Sequence, residues 1–237
     1  MTTDGPAGDP WQTATVTEIR PETPTAKTFR MTLAKPTPRL AGQYYVVPLT
    51  APDGYTASRS YSVASAPNDP GEIELTVERL EGGEVSQFLH GEVIVGDELE
   101  VRGPIGLWFV WEAQTPALLV GGGSGIVPLM AMLRLARQSG RSDLVRMAVS
   151  VRTPDDLYYA QEIPGPETTV AYTRAVPQSS AVLPGRLSEK DLVPLVLPDA
   201  TAFVCGSPGF ADFASGLLLG LGQPVDRIRV ERFGPTN

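Results

Sequence analysis

Four consecutive residues, Arg59-Ser60-Tyr61-Ser62, supply a fixed cation, two hydroxyls and an aromatic ring. A guanidinium is planar, always charged, and grips a phosphate through two parallel hydrogen bonds. A tyrosine ring can stack on a flat heterocycle, and a serine hydroxyl can bond one of its ring nitrogens. The same residues would also suit an ordinary amphipathic strand. Further on, Gly121-Gly122-Gly123-Ser124-Gly125 follows a short apolar run and opens a helical pattern. Glycines let a pyrophosphate approach the backbone, and a helix start offers unpaired N–H groups at the positive end of its dipole. Strand, glycine turn and helix in that order are the context a dinucleotide turn needs. The spacing is not G-x-G-x-x-G, because Pro128 stands where the last glycine would fall. Proline is tolerated there because it lies in the first helical turn. A purely structural turn is the other reading of these glycines.

Other chemistries are excluded by count. One cysteine, Cys205, and one histidine, His90, leave no internal disulfide, no four-thiolate cluster and no His-rich zinc site. A Ser-His-Asp triad would have a single candidate base. Redox chemistry must therefore come from a bound organic cofactor or a separate protein. The net charge of −8 argues against a nucleic-acid partner. The polar start, Met1–Pro10, lacks an apolar signal core. The longest apolar runs, such as Ala117–Val120 and Leu217–Leu221, are far short of a membrane span, so a cytoplasmic location is the default expectation.

The elements that must position these residues fall into two halves. The 237 residues suffice for two compact domains. From Trp11 to about Val110, alternating runs predict strands over Thr13–Ile19, Thr28–Leu33, Tyr44–Pro48, Arg59–Ser65, Glu72–Glu78 and Glu98–Arg102. Breakers such as Pro36-Thr37-Pro38 and Pro52-Asp53-Gly54 separate them, and roughly six strands at this spacing suggest a small antiparallel β-barrel. From Ala117 strands and helices alternate. Strands are expected at Ala117–Val120, Leu144–Val151, Thr169–Thr173, Ala202–Cys205 and Ile228–Glu231. Helices are expected at Ile126–Gln138, Asp155–Glu162, Ser188–Leu192 and Phe210–Leu221. That order implies an α/β domain with a mainly parallel sheet and helices on both faces. The expected domains are 11–112 and 113–237.

With the Arg-Ser-Tyr-Ser run preceding the glycine turn, the chain resembles the ferredoxin–NADP reductase family over about Trp11 to Asn237. The resemblance implies FAD held in the barrel and NAD(P) in the α/β domain. It gives Arg59 to the FAD pyrophosphate, Ser60 to cofactor binding, Tyr61 to stacking on the flavin, and Ser62 to the neighbourhood of flavin N5. Gly82-Gly83-Glu84-Val85-Ser86 resembles the family's second FAD segment, and Gly103-Pro104-Ile105-Gly106 the turn that closes the barrel. Gly121, Gly122, Gly123, Ser124 and Gly125, with Pro128, are similar to the family's own nicotinamide-dinucleotide turn. Cys205-Gly206-Ser207-Pro208 resembles a segment beside the nicotinamide, with Cys205 and Glu231 as orienting or polarity-tuning groups. The tail Glu231-Arg232-Phe233-Gly234 resembles endings in which an aromatic covers the flavin, so Phe233 would move aside as a gate. Arg152, the pair Thr173-Arg174, and Arg186 would supply cations for a 2′-phosphate, favouring NADPH over NADH.

The implied function is hydride exchange between NAD(P)H and FAD, with single electrons passed to a separate ferredoxin, flavodoxin or oxygenase component. The chain has no cysteine set of its own for an iron–sulfur cluster. Two alternatives stay open: a reductase of free flavin or ferric chelates, and a non-catalytic flavin-binding electron-transfer or sensor subunit. Other conspicuous residues take structural readings. His90 is expected at the surface or in a turn, Trp108 and Trp111 as packing at the domain junction, and Tyr158-Tyr159 as sheet packing from a helix. Asp155-Asp156 would favour a helix start rather than hold a metal.

Overall fold

The structure, a computed structural model, describes residues 11–50, 54, 56–178, 180 and 183–234. The polar start at 1–10, the Pro52-Asp53 breaker and the last tail residues, 235–237, lie outside them.

Alternation in the first half produces strands β1 (Trp11–Thr23), β2 (Ala26–Leu33), β3 (Tyr44–Thr50), β4 (Thr56–Ser62), β5 (Glu72–Glu78) and β6 (Glu98–Ile105), with helix α1 (Glu84–Gly91) between the last two. All pairings are antiparallel, in the order β4-β3-β6-β1-β2-β5. The two ends of this sheet meet at a single bridge, Val63 to Leu75, beside the Ala64 N–H to Glu74 carbonyl bond of 2.8 Å. The curled sheet encloses Phe29, Met31, Tyr45, Val47, Ile73 and Leu75. Because closure is confined to that bridge, β4 remains an edge strand over most of its length. An edge presents unpaired backbone donors and acceptors.

β4 stops at Ser62, not Ser65 as alternation predicts. The Ser65 hydroxyl instead accepts from Arg39 Nη2 at 3.0 Å and from the Glu74 N–H at 3.0 Å, which turns the chain toward β5. Gly103 to Ile105 belong to β6 itself, and the turn begins only at Gly106, with φ of 102°.

The second half builds β7 (Ala117–Gly122), α2 (Ile126–Gln138), β8 (Val145–Val151), β9 (Thr168–Tyr172), α3 (Glu189–Leu192), β10 (Thr201–Gly206), α4 (Pro208–Gly220) and β11 (Ile228–Arg232). The sheet is parallel, in the order β11-β10-β7-β8-β9. Successive residues of β7 point to opposite faces, as period two requires. Leu119 packs with Ile126, Leu129 and Leu133 of α2, whereas Leu118 and Val120 pack with Ala211, Ala214 and Leu218 of α4. Burial on both faces explains why this strand reads as a continuous apolar run.

The helix expected at Asp155–Glu162 is absent: a single 3-10 turn, Pro154–Asp156, stands in its place. Asp156 folds back to accept from the Thr153 N–H (2.9 Å) and hydroxyl (2.7 Å). Tyr159 then takes a left-handed φ of 54°, its N–H donating to Glu22 at 3.1 Å and its hydroxyl meeting Thr76 at 2.6 Å. Tertiary partners in the barrel thus override helical propensity. His90 lies on a helix and not in a turn, with part of its surface exposed. Partly buried in the last turn of α1, it bonds the Val77 carbonyl at 2.9 Å and meets Phe29 edge-on. Trp111 is buried and donates to the Thr115 carbonyl at 2.9 Å. Trp108 is exposed, with Arg229 over its ring.

Arg134 of α2 joins the two units. It bonds Glu74 of β5 at 2.6 Å, Glu162 and the Ala64 carbonyl, and lies 5.0 Å over the Tyr159 ring. Among the described residues, no helix is long and apolar enough to cross a membrane, and no cluster of acidic, His or Cys side chains could hold a metal ion.

Candidate functional site

A groove of about 820 Å³ runs between the two units, with walls from both. Its size is that of a small-molecule or cofactor site. On the barrel side the wall is Arg59-Ser60-Tyr61-Ser62 of β4, with Tyr44 of β3 and Gly83 and Ser86 at the start of α1. On the α/β side it is Gly122, Gly123 and Ser124, with Arg152, Thr173, Ser207, Glu231 and Phe233.

Arg59 is exposed and its guanidinium donates to the Ser58 carbonyl at 2.7 Å. Among the described residues no carboxylate pairs with it. Its remaining N–H groups can meet an anion. Tyr61 packs against the barrel core, and burial pushes its hydroxyl pKa up to about 12, so the ring stays neutral. Ser62 is mostly buried, yet it borders the groove and bonds no other side chain among the described residues. Gly83 leaves room that a Cβ would lose, 2.6 Å from the Ser86 oxygen. The Ser86 hydroxyl donates to the Gly83 carbonyl at 2.9 Å and accepts from the Leu80 N–H at 3.2 Å. It therefore shapes this turn, while the first N–H groups of α1 remain without intrahelical partners.

The glycines of the second turn divide by task. Gly123 has φ of 55° with nothing within 4 Å of a would-be Cβ, so its backbone is bare to the groove. Gly125 is buried, and a Cβ there would overlap the Cys205 carbonyl, so its role is close packing of helix on strand.

Not every sequence-predicted residue reaches the groove wall. Gly82, Val85, Gly121, Gly125 and Gly206 stand behind or beside it. Arg174 and Arg186 are exposed outside it, although the Arg174 N–H is tied to the Arg152 carbonyl at 2.9 Å. Cys205 is fully buried against the α2 side of the sheet. Burial and the neighbouring Glu231 carboxyl push its thiol well above the ordinary cysteine range, and it is not among the residues that line the groove. Sequence reasoning missed Tyr44, Thr76, Tyr158 and Phe210 as wall residues. Nothing in their local spacing marks them; the pairing of β3 with β4 brings Tyr44 there, the fold-back at Tyr159 brings Thr76 and Tyr158, and the start of α4 after β10 brings Phe210.

Glu231 lies beside Cys205 in the β10–β11 register, and burial raises its pKa from 4.5 to about 7. A carboxyl that binds its proton more tightly when folded makes stability fall as pH rises, here between about 4.5 and about 7. Glu231→Gln should flatten that part of the profile, leaving the variant less pH-dependent than the wild type. Urea unfolding on both sides of the window checks this; identical slopes in the two proteins would refute it.

The groove fits FAD on its own features: an unpaired guanidinium, bare glycine backbone at two helix starts, a neutral aromatic ring and an edge strand. The fold and this site define a two-domain dinucleotide-binding oxidoreductase. Residues 13–110 match the oxidoreductase FAD-binding domain and residues 119–216 the oxidoreductase NAD-binding domain. The chain is 32% identical over 235 residues to the ferredoxin–NAD(P)+ reductase component of the naphthalene 1,2-dioxygenase/salicylate 5-hydroxylase systems of a Ralstonia species, covering 94% of this chain and 69% of that one. It is 30% identical over 235 residues to the propane 2-monooxygenase reductase component of Rhodococcus jostii, covering 92% and 62%. The FAD/NAD-binding domain of nitric oxide dioxygenase from Vibrio cholerae superposes with a TM-score of 0.82 at 28% identity, covering 94% and 99%. The chain belongs to the ferredoxin–NADP reductase family of FAD- and NAD(P)-binding oxidoreductases. It spans 69%, 62% and 56% of the length of three curated relatives it matches, the third being a glycine betaine monooxygenase reductase subunit of Pseudomonas aeruginosa.

Proposed function

We propose that this chain is an NADPH-dependent reductase that uses FAD to feed single electrons to a separate ferredoxin, flavodoxin or oxygenase component. The observation that carries the reading is the shared groove, in which the β4 run and the Gly122–Ser124 turn face one space. Reductase components of oxygenase systems among the relatives support the class of acceptor. We divide the chain at 112/113, consistent with the two matched segments.

Bound FAD supplies the conversion between a two-electron nucleotide donor and a one-electron acceptor. The residues around it bind and orient. Arg59 and the start of α1 hold the FAD pyrophosphate, and Tyr61 covers the flavin on the barrel side. Ser62 offers a hydroxyl to the ring. Gly123 and Ser124 receive the nucleotide pyrophosphate at the start of α2. Phe233, whose N–H donates to the Gly206 carbonyl at 2.8 Å, closes the α/β side and must yield to the nicotinamide. Arg152, free of any carboxylate partner among the described residues, and Thr173 stand at the ends of β8 and β9, where a 2′-phosphate would lie.

The test is an anaerobic titration of FAD-loaded protein with NADPH and, separately, NADH, read as bleaching of the flavin absorbance. Bleaching by NADPH at the lower concentration is expected. No bleaching by either nucleotide rejects the reductase reading, and bleaching that favours NADH rejects the NADPH preference.

A further inference from the structure

A second hollow, of about 450 Å³, opens where β3 begins and β6 ends, and none of the residues lining it lines the groove. Pro38, Leu40, Pro104, Ile105 and Leu107 give it apolar walls. Gln43 also borders it, but both ends of its amide are engaged. Its Oε1 accepts from the Leu40 N–H at 2.7 Å, and its Nε2 donates to the Gly106 carbonyl at 2.8 Å. The remaining polar side chain on the wall is the cation Arg39.

Arg39 is only 7% exposed. Its Nη1 donates to the Asp69 carbonyl at 2.6 Å, and its Nη2 to the Ser65 hydroxyl at 3.0 Å and the Ala66 carbonyl at 2.6 Å. All three acceptors are neutral. Nε is buried and has no hydrogen-bond partner among the described residues. The Asp69 carboxylate turns back to accept from the Gly71 N–H at 2.8 Å, and among the described residues no carboxylate forms an ion pair with Arg39. Burial holds the Arg39 pKa below the ordinary arginine value, so the pull of Asp69 does not make up for the lost water. An arginine is seldom buried without a counter-charge, because the interior does not replace its hydration. The hollow that Arg39 borders gives an anion from outside the chain a way to it.

Apolar walls around one cation favour a single negative charge carried on an apolar body. Phosphate would leave most of its oxygens against carbon, where they find no donor. We propose that this hollow binds a small aryl or alkyl carboxylate, with its charge toward Arg39 and its body against Leu40, Ile105 and Leu107. The site is separate from the groove but adjoins it: Gly106 borders the hollow, and a Cβ there would lie 3.4 Å from the ring of Tyr44, which lines the groove.

The experiment is a ligand-detected NMR titration of FAD-loaded protein with benzoate and hexanoate, each beside its uncharged amide. At least one of the two acids should bind wild type about tenfold more tightly than its amide, since hydrogen bonds to charged groups are the stronger kind. Arg39→Met should abolish that preference. Leu107→Asp places a negative charge at the rim, on a residue that is 79% exposed, and should weaken the acid about fivefold while sparing the amide. Wild type that binds neither acid, or binds acid and amide equally, would overturn the proposal. So would a preference for the acid that survives both substitutions, because the carboxylate would then sit elsewhere. If Arg39→Met does not fold, Leu107→Asp carries the same comparison. The hollow shares no lining residue with the groove, so failure of the reductase reading would leave this comparison intact.

Discussion

Arg59→Ala should lose FAD during purification, with affinity reduced about 10- to 100-fold. A hydrogen bond to a charged group is worth about 1.5–3 kcal/mol, and each 1.4 kcal/mol is about tenfold in affinity. Arg59 is suited to such a bond because nothing acidic among the described residues competes for it: its side-chain hydrogen bond among them goes to the Ser58 carbonyl at 2.7 Å. Lysine at this position should recover only part of the loss, since an ammonium is a point charge that cannot grip two phosphate oxygens in parallel. Arg102→Ala is the control. Arg102 is also exposed on the barrel, but it lies 5.9 Å over the Trp11 ring and not on the groove wall. Equilibrium dialysis against FAD would read all three. Equal retention of FAD by Arg59→Ala and Arg102→Ala would remove Arg59 from the site.

Much of this architecture was legible because it rests on local rules. The helix at Ile126–Gln138 is found with the boundaries its periodicity predicts, since the glycine turn fixes its start and Ser139-Gly140 its end. The strand at Glu72–Glu78 is likewise found as read. Local rules failed where a distant partner outweighed them. Residues 155–162 have acidic residues suited to a helix start, yet Glu22 and Thr76 capture Tyr159 and hold it in a left-handed conformation. The site shows the same division. The places of Arg59, Tyr61 and Gly123 on the groove wall could be read from residue type and context, because each lies where its own strand or turn puts it. That of Cys205 could not, because which face of β10 meets α2 depends on packing across the whole sheet. That of Phe210 could not either, because its ring rests over two glycines, Gly122 and Gly206, on neighbouring strands.

The polar seam between the units gives the largest expected effect on stability. Arg134 and Glu74 are both mostly buried, and their contact is 2.6 Å. The other cations near Glu74, Arg20 and Arg30, are more distant, at 3.7 and 3.8 Å. Arg134→Met therefore leaves the Glu74 carboxylate without its close partner in a place water scarcely reaches. Breaking a buried pair by removing one partner costs about 3–5 kcal/mol, and the remaining arginines place the expected loss at about 3 kcal/mol. Arg134 lies on α2 and Glu74 on β5, so the cost falls on the coupling between the two sheets and not on either core. Unfolding by guanidinium at fixed FAD concentration should then show two separated steps where the wild type shows one. The double change Arg134→Met with Glu74→Leu should recover most of the loss, because an apolar pair of similar volume removes the stranded charge. A double variant as unstable as the single one would mean that the seam depends on the Arg134 contacts with Glu162 and the Tyr159 ring. In that event the Glu74 contact would be incidental to how the groove is held together.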